Sequence, residues 1–74
     1  MKIKLLSSNE IITGDTAEEV VNKFSEWRNE PVEEYMAGFV KRFELTYGIT
    51  LFYRDAESFL RAIHETGKFL EIIE

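Results

Sequence analysis

Between Pro31 and Gly48 the chain reads VEEYMAGFVKRFELTY, and its apolar residues recur with the period of an α-helix. Tyr35, Met36, Phe39, Val40, Phe43 and Tyr47 form one stripe about four turns long. Pro31 disfavours α geometry at Glu30 and is itself tolerated in a first turn. Gly48 is free to take the positive φ that suits the residue just past a helix end. The spacing therefore predicts a helix over 32–47. So aromatic a face has to cover something, which makes this segment the strongest constraint on the fold.

Two other helices are announced by their starts. TAEEVVNKF at 16–24 is echoed by DAESFLRAI at 55–63. Thr16 and Asp55 are short oxygen side chains placed to accept the orphan N–H groups of a first turn. Thr16 with Glu19 fits a capping box, and Glu18 and Glu19 suit the positive end of the helix dipole. Ala17, Val20, Val21, Phe24 and Trp27 share one arc of the first helix, with Trp27 at its edge. Ala56, Phe59, Leu60 and Ile63 do the same in the third, which Gly67 ends. The repeat is thus read as shared helix-start physics, not as a duplicated site.

Strands are expected elsewhere. KIKLL at 2–6 alternates at its start, SSN supplies turn chemistry, and EIIT at 10–13 resumes the apolar run, which together read as a hairpin. ITLFYR at 49–54 is β-branched and aromatic, so it reads as a strand. KFLEIIE at 68–74 is read as the last one. The expected order is β-β-α-α-β-α-β in a single α+β domain over 1–74. Its sheet is expected to be small and mixed, of about four strands, with three helices packed mainly on one face. Residues 49–73 allow a right-handed βαβ crossover with parallel strands. The alternative sets the final strand antiparallel beside the N-terminal hairpin.

Composition narrows the function classes. The chain has 74 residues, of which 45% are apolar and 14% aromatic, so a compact core is within reach at this small size. It contains no cysteine, which removes disulfides, thiolate metal sites and thiol nucleophiles. The N-terminus lacks a signal-like apolar region, and no window is long enough to span a bilayer. A cytoplasmic protein with no membrane partner is expected. Net charge is −5, and residues 10–34 hold eight acids against two bases. Lys41 and Arg42 are the only adjacent bases, too little for a nucleic-acid footprint, so no nucleic acid is expected as partner.

Catalytic signals are sparse. His64 is the only histidine, and no nucleophile can be placed beside it, so boundary packing near the end of the third helix is the reading. Glu18-Glu19 and Glu33-Glu34 are adjacent on helices, about 100° apart, and neither pair converges on one ligand. No EF-hand loop, HExxH, P-loop or GxGxxG is present. No enzyme, no cofactor and no metal are expected.

The short hairpin followed by DTAEEVVNK resembles the opening of a ubiquitin-like β-grasp domain. The likeness covers about the first third of the chain. A long helix then stands where that fold continues with strands, and the chain ends EIIE without a di-glycine tail. The function of those carriers is not carried over.

Four residues stand out as interaction candidates. Gly38 and Leu45 lie opposite the aromatic stripe of the second helix, about 20° apart by the helix period. Gly38 and Leu45 read either as a tolerated helix glycine beside an ordinary exposed leucine or as a place where another backbone comes close. Trp27 and Tyr35 flank the Asn29-Glu30-Pro31 turn and are amphipathic rings suited either to an interface or to sealing the core edge. The expected function is a non-catalytic protein–protein interaction module, with a protein partner or a homodimer. The alternative is an acidic inhibitor or nucleic-acid mimic built on residues 10–34. An enzyme using His64 comes third.

Overall fold

The computed structural model describes residues 1–73. The elements follow as β1 (Lys2–Leu5), β2 (Ile11–Thr13), α1 (Ala17–Trp27), α2 (Val32–Tyr47), α3 (Ala56–Thr66) and β3 (Leu70–Ile72). The sheet has order β2-β1-β3, and both pairings are antiparallel. Ile3 sits opposite Ile12 on one side and Ile72 on the other. Strand alternation then sends Ile3, Leu5, Ile12, Leu70 and Ile72 to one face and Lys2, Lys4 and Thr13 to the other. This is an α+β fold whose helices cover one face of the sheet.

The expected helix starts and stops are formed. The Glu19 N–H donates to Thr16 Oγ1 at 3.2 Å, capping α1. A reciprocal capping box forms at α3 instead: Ser58 N–H donates to Asp55 Oδ1 at 2.9 Å, and Asp55 N–H donates to Ser58 Oγ at 3.0 Å. Those bonds hold the Asp55 carboxyl below the usual carboxylate range. α2 starts after Pro31 without a side-chain cap and ends on Gly48 at φ 70°.

Two expectations about strands are corrected. The sheet has three strands and is wholly antiparallel, so the parallel βαβ arrangement over 49–73 is not formed. No strand forms over 49–54. The physical reason is reach. α2 has 16 residues and a length of about 24 Å. The start of α3 nevertheless lies beside the starts of α1 and α2, where Glu18, Glu33 and Asp55 line one cleft. The chain must travel back along α2, and the seven steps from Gly48 to Asp55 span about 23–25 Å only when extended. Residues 49–54 are thus an extended strap, with Leu51 buried and Phe52 83% exposed. Of the predicted final strand, Glu74 lies outside the described residues.

Packing divides into two layers. Against the sheet, α1 and α3 contribute Val20, Val21, Phe59, Leu60 and Ile63, all essentially inaccessible. α2 stacks on α1 farther from the sheet, through the predicted stripe. Phe39 and Phe43 are buried, with their ring centroids 5.7 Å apart. Phe39 also meets Phe59 edge-on at 5.4 Å, which ties the outer layer to the inner one.

Candidate binding groove

The outer layer is built almost wholly of rings, and they form one connected series. Trp27 meets Phe24 edge-on at 5.4 Å, and Phe24 stacks with Tyr35 at 6.1 Å. Tyr35 adjoins Phe39 at 6.0 Å, and Phe43 leads to Tyr47 at 4.6 Å. The i,i+4 spacing of Tyr35, Phe39, Phe43 and Tyr47 brings four of these rings onto one side of α2. Trp27 reaches them from the last turn of α1.

Phe69 completes the series from the other direction. It lies 4.9 Å from Phe39 and 6.3 Å from Phe24. Its backbone φ is 73°, and the Leu70 N–H donates to the Lys68 carbonyl at 2.9 Å, which closes a γ-turn around it. A bulky residue in that region is strained, and glycine would hold the same turn without strain. Strain of this kind persists only where the surroundings hold it. Here the Leu6 N–H donates to the Phe69 carbonyl at 2.9 Å, which pins the residue to the sheet edge.

The rings do not close over one another. They leave a concavity of about 310 Å³ with Phe24, Trp27, Tyr35, Phe39 and Phe69 among its walls. A second, of about 170 Å³, continues along α2 toward Tyr47 and shares Phe39, Arg42 and Phe69 with the first. Trp27 remains 59% exposed, Tyr47 44% and Phe69 37%. The result is an open aromatic groove between α1, α2 and the turn before β3.

Its charged lining is basic. Arg28 and Arg42 line the larger concavity. Arg28 Nε donates to Glu30 Oε1 at 3.0 Å. Arg42 has no ion pair among the described residues. Its Nη1 lies 3.0 Å from where a Cβ on Gly38 would stand, so the guanidinium is laid along the helix over that glycine. Lys68 Nζ sits 5.1 Å from the centre of the Tyr47 ring. Burial pushes the Tyr35 phenol up to about 12, against the opposing pull of Arg42 and Arg28, and so both guanidinium groups are near that ring.

The four residues singled out from the sequence are thereby separated. Trp27 and Tyr35 meet in the groove, Trp27 as an open wall and Tyr35 sealing the core edge at 4% exposure. At Gly38 the chain's own Arg42 lies over the bare Cα. Leu45 is 83% exposed and is not part of the groove lining. Sequence reasoning missed Phe69 and the two arginines. A glycine four residues before an arginine was the available hint for Arg42, whereas nothing local marks Phe69 for positive φ.

His64 has a structural partner. The Ile72 N–H donates to His64 Nδ1 at 3.0 Å, so the exposed imidazole satisfies a backbone donor of the edge strand β3. Among the described residues no three acidic or histidine side chains gather as a metal site would need, and no helix is long and apolar enough to cross a membrane. No protein-family model matches the chain, and no curated protein or solved structure matches it.

Proposed function

We propose that the protein is a non-catalytic interaction module that receives a protein partner in the aromatic groove. The observation that carries this reading is Phe69. A strained backbone keeps its ring over the groove floor, between Phe24 and Phe39, while the ring stays 37% exposed. Aromatic residues and arginine are enriched where proteins bind one another, and this groove is walled by both. Its open form and modest volume suit one or two inserted side chains better than an enclosed cofactor. A cytoplasmic setting belongs to the same proposal, supported by the cysteine-free composition.

The acidic-mimic alternative draws on residues 10–34, but Glu18, Glu19 and Glu33 there occupy first turns of helices and serve the helix dipoles. The homodimer variant draws on Leu45 and Phe52, both 83% exposed. Photo-crosslinking tests the proposal in the native host. A benzophenone side chain placed at Trp27 should give a discrete adduct with another protein, and one placed at Phe52 should not. Equal adducts from both positions, or none from Trp27, would contradict it.

A further inference from the structure

We infer that the groove takes an acidic segment of another protein, one in which an aromatic or large apolar residue is flanked by carboxylates. The inference rests on the groove being the interaction site, and it adds the chemistry of the occupant.

The groove is complementary in charge to an acidic segment. The chain carries −5 overall, yet the groove is bordered by Arg28, Arg42 and Lys68. No acid lines either concavity among the described residues, and Glu30 is engaged by Arg28. Attraction at this rim is local, because exposed charges farther away than about 10 Å are largely screened at 0.1 M salt. On a body 29 × 25 × 22 Å across, acids on its far side therefore repel a segment at this rim only weakly.

Arg42 is an exposed residue with no ion pair among the described residues, and Gly38 leaves the room in which its guanidinium lies. A side chain at position 38 would push it away. The guanidinium fork matches a carboxylate bidentately, which a point charge does not. Arg42 borders both concavities, so one carboxylate held there would set an adjacent apolar side chain against Phe39 and Phe69. The requirement for both groups on one segment follows from that adjacency.

A second copy of this chain fits less well. Its most exposed ring, Phe52, belongs to the strap and not to the groove, and neither Phe52 nor the strap around it carries the paired carboxylates that the basic rim would engage.

Trp27 is the only tryptophan and lines the groove, so its fluorescence reports occupancy directly. The probes are the capped peptide Gly-Glu-Phe-Asp-Leu-Glu-Gly and its counterpart with Gln and Asn in place of the acids. Each is titrated at low salt with fluorescence, and amide chemical shifts locate the bound surface. The acidic peptide should bind at least tenfold tighter, with shifts at Phe39, Arg42 and Phe69, and the margin should shrink at 0.5 M salt. Arg42→Gln should remove about tenfold of that affinity, and Arg42→Lys should restore only part of it. Equal affinity of the two peptides at the groove would overturn the acidic occupant while leaving an interaction groove in place. Binding of neither peptide up to millimolar concentration would overturn both. Groove shifts that grow with protein concentration alone would assign the groove to a second copy and overturn the inference.

Discussion

The two faces of α1 face two kinds of packing. Toward the sheet, Val20 and Val21 join Ile3, Leu60 and Ile63, aliphatic side chains that interdigitate until none is accessible. Toward α2, Phe24 and Trp27 join Tyr35, Phe39 and Phe69, rings that touch at edges and leave an open groove. Branched aliphatic chains fill space from any direction. Flat rings fill it only when stacked or edge-on, and a layer made of them keeps gaps unless each is given a partner. The inner layer thus supplies stability through complete burial. The outer layer contributes stability too, through Phe39 and Phe43, but it retains exposed rings that an inner layer would not tolerate.

The difference is sharpest at Phe59 and Phe39, which touch across the boundary. Phe59→Ala should cost about 3–5 kcal/mol, because the cavity left is sealed on all sides. So small a domain should then be largely unfolded, as chemical denaturation followed by circular dichroism would show. Phe39→Ala should cost less, because the space it vacates opens on the groove and admits water. Equal losses would break the distinction between the layers.

Next in size are the helix starts, which belong to neither layer. Thr16→Ala should cost about 1 kcal/mol through the lost bond to the Glu19 N–H. Asp55→Ala should also destabilise, and its effect should depend on pH. The native carboxyl lies below the usual range, so its contribution is present above the ordinary Asp pKa and is lost as pH falls through the native value. The gap in melting temperature between wild type and Asp55→Ala should therefore close in acid. A constant gap would mean that the charge of the cap is irrelevant.

Leu45→Glu should have the smallest effect. At 83% exposure it should change stability by no more than about 0.5 kcal/mol. Light scattering on wild type and variant should give one mass, that of the monomer. A wild-type dimer split by Leu45→Glu would move the interaction surface away from the groove.

How much of this was legible in the sequence follows the range of the forces involved. Thr16, Pro31, Gly48, Asp55 and Gly67 mark helix ends through bonds to their own neighbours, so all three helices were readable. The segment 49–54 reads as a strand from its β-branched and aromatic residues, and the structure forms none there. Extension is local, but a ladder partner is not, and β1 already has β2 on one edge and β3 on the other. Trp27 and Tyr35 were recognisable as candidates because they flank one turn. Arg42 gains its meaning only from having no acid partner among the described residues and from the bare Gly38 beneath it. Phe69 was hidden most completely, since its positive φ comes from the γ-turn that joins Gly67 to the sheet edge.

On the proposed function, the outer aromatic layer is held open for a partner at some expense in stability. Phe69→Gly tests it most directly. Left-handed backbone costs a non-glycine residue about 1–3 kcal/mol, and glycine relieves it. Loss of a ring that is 37% exposed removes a similar amount of burial. The denaturation midpoint of Phe69→Gly should therefore stay close to that of wild type, while the Trp27 fluorescence response to the acidic peptide disappears. A fall in stability as large as that of Phe59→Ala, or a peptide response that survives the loss of the ring, would contradict the claim.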